Sequence, residues 1–175
     1  MNKLTLPYPF SIIFMDSCAF DSDIPGEEQA ATKLLKINQT ICEKFLIIAH
    51  STGKEIGHPN TPVWVKQESS KLIWTSDLSL APAEINILRK IESILAGNGK
   101  VAKIKADAQH IFECHKYAGR YFVTTDRRIH KKKEELKMAL GKIDIIKPTE
   151  LLAKVTNYIE LLRNDSNPYN AAGDQ

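Results

Sequence analysis

Two short apolar runs, far apart in the chain, each end on an aspartate. Residues 11–15 are followed by Asp16, and residues 121–125 are followed by Asp126. If the two runs are parallel strands, both carboxylates lie at the same edge of the sheet, where such folds bind ligands. Carboxylates placed together raise each other's pKa unless a cation neutralises them. The pair therefore predicts a metal site with further members elsewhere in the chain.

Two other acids are candidates for the same site. Asp107 is predicted at the start of a helix, where free backbone N–H groups favour an anion, so helix capping explains it as well as catalysis does. Its position just before the third predicted strand allows it to lie beside Asp126. Glu55 falls on a short predicted helix, and an exposed helix glutamate is its alternative interpretation. Asp21 and Asp23 lie in a predicted loop, where solvation is the better explanation.

The chemistry of such a site follows from its ligands. Carboxylates without a His or Cys partner suit hard cations such as Mg²⁺ or Mn²⁺. A metal of this kind activates a water molecule and stabilises negative charge on a phosphate. The acids therefore predict phosphoryl transfer or phosphodiester cleavage.

A run of basic side chains comes directly after Asp126. The net charge of the whole chain, +3, is too small to establish nucleic-acid binding by itself. The run has two interpretations, a solvated helix face or a surface that attracts RNA phosphates beside the acids. The residues that we assign to RNA binding under the second interpretation are Arg127, Arg128, Lys131 and Lys132.

Length and composition limit the other possibilities. The 175 residues suit one domain, which we place at 1–163, followed by a polar tail at 164–175 that we predict to be flexible. No apolar run reaches the roughly 20 residues that a transmembrane helix needs, and residues 1–9 lack the pattern of a secretory signal. The three cysteines match neither a zinc pattern nor a disulfide framework. We therefore expect a cytoplasmic protein with no membrane partner.

Strand and helix patterns alternate along the chain, which predicts an α/β domain with a mainly parallel sheet. The tryptophans Trp64 and Trp74 fall in the least clear segment, 59–81, and we favour core packing over a partner or RNA surface for both. Strands are predicted at 11–15, 45–49, 121–125 and 143–146, and helices at 27–38, 51–56, 83–96, 107–118, 127–140 and 149–162.

Several other residues with reactive side chains have ordinary explanations. His115 lies on the apolar face of the helix at 107–118 and is predicted as a hydrogen-bonded core residue. His110 and Cys114 are four residues apart, but no second Cys or His pair stands at a spacing suited to zinc. Cys18 is predicted as a small buried thiol.

Four segments in order resemble the PIN domain, a family of metal-dependent ribonucleases, and the resemblance spans about residues 14–152. Each segment is weakly specific alone, and their order and spacing carry the resemblance. The segments are FMDS at 14–17, STGKEI at 51–56, the pair DA at 107–108 followed by Ile111, and FVTTD at 122–126 continued by Ile129 and by IIKPTELL at 145–152.

The resemblance implies a three-layer fold in which helices flank the sheet. It implies that Asp16, Glu55, Asp107 and Asp126 bind Mg²⁺ or Mn²⁺ and that the hydroxyl of Thr124 orients the site. The small size is similar to that of VapC-like toxins, which implies an RNA substrate, an antitoxin partner and a homodimer. Many relatives carry a further acid after the last aspartate, where basic residues stand in this chain, so a second metal is left open.

Two other functions compete with the ribonuclease. A phosphoryl-transfer enzyme of the haloacid-dehalogenase or receiver type would use Asp16 as a covalent nucleophile, but the dehalogenase pattern requires a second Asp where Cys18 stands. A catalytically inactive PIN-like scaffold would bind RNA or a protein, although the presence of all four acids argues against lost activity.

Overall fold

The computed structural model describes residues 12–20, 24–40, 46–48, 63, 66–67 and 79–165. In this part of the chain, four strands form one sheet in which every neighbouring pair is parallel. The predicted α/β class with a parallel sheet is therefore confirmed. The strands are β1 (Ile13–Met15), β2 (Leu46–Ile48), β3 (Tyr121–Val123) and β4 (Asp144–Ile146), in the order β2-β1-β3-β4.

Helices alternate with these strands along the chain. None of the described helices is both long and apolar enough to span a lipid bilayer. Short 3-10 turns at Ser17–Phe20 and Val101–Lys103 precede the first and third helices. The helices are α1 (Pro25–Thr40), α2 (Pro82–Ala96), α3 (Lys105–Lys116), α4 (Arg127–Lys131), α5 (Lys133–Leu140) and α6 (Pro148–Asp165).

Both faces of the sheet are covered, which produces three layers. Ile13, Met15 and Val123 pack on one face with α1 and α6. Phe14 and Phe122 pack on the other face with α2, α3 and α5. Side chains alternate across a strand, so neighbouring residues of β1 enter opposite cores. This double burial explains why the strands are continuous apolar runs in the sequence.

The direction of strand addition reverses between β1 and β3. The chain passes from β1 to β2 on one side, and then to β3 and β4 on the other side of β1. A reversal of this kind opens a crevice at the carboxyl ends of the two central strands. The residues just beyond those ends stay attached to the sheet, because the N–H of Asp16 donates to the carbonyl of Val123 and that of Thr124 to the carbonyl of Ile146.

Several predicted helix boundaries are wrong by one to three residues, and one predicted helix is divided into two. Helix α3 begins at Lys105, so Asp107 lies within its first turn and not at its first residue. The helix predicted at 127–140 is two helices, because Lys132 donates its N–H to the carbonyl of Ile129, three residues back, and this interrupts the α-helical spacing. Helix α6 runs to Asp165, past the predicted domain end at 163.

Several predictions lie outside the described residues. They concern the acids Glu55, Asp21 and Asp23, the tryptophans Trp64 and Trp74, the helix at 51–56 and most of the segment 59–81.

Gly119 connects α3 to β3 at a point with no room for a side chain. A Cβ there would lie 2.5 Å from Sγ of Cys114 and 2.8 Å from Cδ2 of Phe14, and both residues are buried. We predict that Gly119→Ala lowers the free energy of unfolding by about 1–3 kcal/mol, because the core must shift to admit the methyl group. Urea denaturation measures this loss. Gly26→Ala is the matched control, since nothing lies within 4 Å of its Cβ, and equal losses in the two variants would contradict the prediction.

Candidate active site

Asp16 lies at the carboxyl end of β1 and is almost fully buried, with 3% of its surface exposed. Its Oδ2 accepts a hydrogen bond from the hydroxyl of Thr124, at 2.8 Å. Its Oδ1 accepts from the backbone N–H of Ser17, at 2.9 Å, and lies 3.2 Å from Nδ1 of His110. Since carboxylate oxygens accept, Nδ1 is the hydrogen-bearing nitrogen of this histidine. Both carboxylate oxygens are therefore held by donors from within the protein.

Thr124 connects the first acid to the last. Its hydroxyl donates to Asp16 and accepts the backbone N–H of Asp126, at 3.1 Å. Its carbonyl accepts a hydrogen bond from Nε2 of His130, at 2.8 Å. The side chain of Thr124 is fully buried. Thr124 thus lies between Asp16 and Asp126, and its role in orienting the site stays a prediction.

Asp126 begins α4 and also reaches the crevice. Its Oδ1 accepts the backbone N–H of Arg128, at 2.6 Å, so Asp126 is the N-cap of this helix. Helix capping was the alternative explanation for Asp107, and the structure shows it at Asp126. The cap fixes the carboxylate close to the side chain of the same arginine.

The guanidinium of Arg128 bridges two of the acids. Its Nη2 lies 2.6 Å from Oδ2 of Asp126 and 3.2 Å from Oδ2 of Asp107, and its Nε contacts both oxygens of Asp126 at 3.1 and 3.2 Å. Thr124 and Arg128 therefore connect the acids of β1, α3 and the end of β3 in one hydrogen-bonded chain. The side chain of Arg128 as a whole is 62% exposed.

The pKa values of the two outer acids move in opposite directions. Burial raises the pKa of Asp107 to about 6; the charge of Arg128 opposes this rise, and those of Asp16 and Asp126 add to it. Partial burial also works against ionisation of Asp126, but hydrogen bonds from the side chain and backbone of Arg128 outweigh it and lower its pKa. The cluster therefore behaves as like charges that are held together by one cation.

The predicted RNA-binding residues do not share one environment. Arg128 is engaged with the acids, and Lys132 pairs with Glu135 at 2.8 Å. Arg127 and Lys131 are exposed on α4, beside the crevice. The residues of the basic run therefore differ: one contacts the acids, one forms a surface ion pair, and two are exposed to solvent.

His110 is a site residue that the sequence interpretation missed. It is buried, with 1% of its surface exposed, and its Nδ1 contacts Asp16. It does not form a metal-binding pair with Cys114, because Sγ of Cys114 contacts the carbonyl of Tyr121. His115, predicted in the core, is only half-buried, and this burial lowers its pKa. The signal for His110 is its spacing, because residues three apart share a helix face and Asp107 is three residues before it.

The donor types, more than the present side-chain positions, fit a metal ion. Asp16, Asp107 and Asp126 offer only oxygen ligands, which Mg²⁺ and Mn²⁺ prefer. Arg128 supplies the positive charge that two of them share. Among the residues that the structure describes, no three His, Cys, Asp or Glu side chains are grouped so that they could hold a metal as they stand. Glu55, the fourth predicted ligand, is outside those residues.

No family model matches the sequence, and no curated protein is significantly similar to it.

The raised pKa of Asp107 makes stability depend on pH. Its folded value, about 6, exceeds the ordinary 3.8, so the folded chain holds this proton more tightly than the unfolded chain. The resulting stabilisation is complete below the ordinary pKa and is lost as the pH rises through the folded pKa. Relative to Asp107→Asn, we predict that metal-free wild type loses about 1 kcal/mol of unfolding free energy between about pH 4 and about pH 7, after a discount for solvent access. Urea denaturation of both proteins across this range measures the loss, and a constant difference would refute the prediction.

The contact of His110 with Asp16 should contribute to stability. Among the described residues, His110→Leu leaves Oδ1 of this buried carboxylate with the N–H of Ser17 as its donor, and we predict a loss of about 1–3 kcal/mol in unfolding free energy. His115→Leu, on the same helix, is the matched control because His115 is only half-buried. Chemical denaturation compares the two, and a loss in the control as large as in His110→Leu would rule out a specific contribution.

Proposed function

We propose that this protein is a metal-dependent endoribonuclease of the PIN type, which cleaves phosphodiester bonds in RNA. The observation that carries the proposal is the hydrogen-bonded chain from Asp16 through Thr124 and Asp126 to Arg128 and Asp107. It brings acids from three separate elements to the carboxyl edge of a parallel sheet, at its switch point. Ligands bind to such sheets at this place.

In this proposal the acids have different tasks. Asp16 is held rigidly by its donors, whereas Asp107 and Asp126 lie nearer the solvent, with side chains 20% and 12% exposed. All three would contribute oxygen ligands to Mg²⁺ or Mn²⁺, together with Glu55 if the segment at 51–56 returns to the crevice. When bound, the metal would activate a water molecule for attack on the phosphate. Thr124 would keep the first and last acids in a fixed relation.

Substrate contact would fall to the exposed part of the basic run. Arg127 and Lys131 lie on α4, which begins at Asp126, so their charges are close to the acids. Such charges attract phosphates without selecting a base sequence. This arrangement supports a single-stranded RNA substrate whose backbone passes over α4.

The biological role proposed is that of the toxin in a toxin–antitoxin pair, acting in the cytoplasm as a homodimer that an antitoxin protein blocks. The support is the resemblance of the ordered acidic segments to the PIN family, together with a small size that is similar to that of VapC-like toxins. The neighbouring gene provides a further check, since the proposal expects a small reading frame that encodes a DNA-binding N-terminus.

One alternative has an observation in its favour. An inactive PIN-like scaffold that binds RNA or protein would need no metal, and in the described part of the chain the acids are neutralised by Arg128 and not gathered around a metal position. The phosphoryl-transfer alternative is less well supported, because the dehalogenase pattern requires a second Asp at the position where Cys18 stands.

The proposed activity predicts that purified protein with Mn²⁺ cuts single-stranded RNA, and that Asp16→Asn and Asp126→Asn each reduce the rate by about a hundredfold or more. Asparagine also caps helices, so Asp126→Asn should keep α4 intact. Asp144→Asn is the matched control, because that carboxylate pairs with Arg120 and Lys137 and makes no contact with Asp16, Asp107 or Asp126. Gel analysis of a labelled RNA measures the rates.

Three outcomes of this experiment are informative. Equal cutting by wild type and both site variants would overturn the nuclease proposal and indicate a contaminant. RNA binding without cutting would favour the scaffold. The toxin role is tested with the same proteins, since induced expression of wild type, but not of Asp16→Asn, should arrest growth.

A further inference from the structure

Arg128 makes contacts that could not be predicted from its position in the sequence. Of the two arginines that follow Asp126, Arg128 is the one that contacts acids among the residues that the structure describes. Its Nε and Nη2 hold the carboxylate of Asp126, and the same Nη2 reaches Asp107 at 3.2 Å. Two of the proposed metal ligands therefore share one internal cation.

The fold does not require these side-chain contacts. The helix cap at Asp126 is made with the backbone N–H of Arg128, so the start of α4 is secured whatever the side chain does. The side chain of Arg128 is 62% exposed, and an ion pair with an exposed partner contributes little to stability. Water can therefore take over its hydrogen bonds at small cost when the side chain leaves.

A nearby cation favours the ionised form of these acids. Asp107 is partly buried, and the charges of Asp16 and Asp126 both act against its ionisation. Arg128 relieves this repulsion, and a divalent cation would relieve it more strongly with the same oxygens. Because Oδ2 of Asp126 and Oδ2 of Asp107 each face Nη2, the guanidinium and a metal ion would compete for the same atoms.

We infer that Arg128 is an internal competitor of the divalent cation: its guanidinium holds Asp107 and Asp126 in the metal-free protein and must swing out before both can bind the metal. Arg128 thereby sets the metal affinity of the site. The inference rests on the proposed function, because it presupposes that these acids bind Mg²⁺ or Mn²⁺.

The test is a Mn²⁺ titration that does not depend on activity. The loss of the free-ion electron paramagnetic resonance signal gives the Kd for wild type, Arg128→Met and Arg127→Met. Arg127→Met is the matched control, because it removes the same charge from the neighbouring exposed position, which makes no contact with Asp107 or Asp126. We expect Arg128→Met to bind Mn²⁺ about tenfold more tightly than wild type, and Arg127→Met to stay within about twofold of wild type.

A second variant covers the case in which Arg128→Met does not fold for lack of a counter-ion, which circular dichroism would reveal. Arg128→Lys keeps the positive charge but replaces the forked donor by a single ammonium group. It should bind Mn²⁺ about threefold more tightly than wild type, because it holds the two carboxylates less well.

The outcomes separate the inference from the proposed function. Tighter binding by the Arg128 variants alone supports the inference. Equal affinity in wild type and these variants, or an equal gain in Arg127→Met, overturns the inference and leaves the metal site standing. Failure of every protein to take up Mn²⁺ overturns both.

Discussion

The arrangement of the site depends on how a buried carboxylate is satisfied. Asp16 is 3% exposed, and a carboxylate removed from water must recover its hydrogen bonds inside the protein. The donors come from Ser17 directly after it, from His110 on α3 and from Thr124 after β3. The need to satisfy the buried carboxylate of Asp16 thus holds α3 and the end of β3 against the end of β1.

The outer acids are neutralised in a different way. Asp16 is held by donors on buried or backbone groups, which cannot leave without exposing the core. Asp107 and Asp126 share the exposed guanidinium of Arg128, which can leave at small cost. Asp16 is therefore held in a fixed position, whereas Asp107 and Asp126 can change partners. A cation-binding site benefits from both properties, since one ligand is preorganised and the others can adjust.

The features that could be predicted from the sequence are those that depend on hydrophobic patterns, such as the strands. The contacts of individual side chains in the site could not be predicted. The apolar runs ending on Asp16 and Asp126 indicated parallel strands, because double burial produces continuous hydrophobic segments. The role of His110 was visible in principle from its helix spacing to Asp107. The contact of Arg128 was not, because adjacent basic residues look alike in a sequence and only the turn of α4 decides which one faces the acids. The break between α4 and α5 at Lys132 also depends on one backbone hydrogen bond, which the helix pattern of the sequence does not reveal.

Asp126 shows how the two states of the site can share one backbone. Its Oδ1 caps α4, and its Oδ2 accepts the shortest contact from the guanidinium of Arg128. The cap is made with backbone and persists when the guanidinium moves, so α4 need not unfold for the site to change partners. A rotation confined to Arg128, with the sheet edge and the helix in place, is the smallest change that would release the outer acids for another cation.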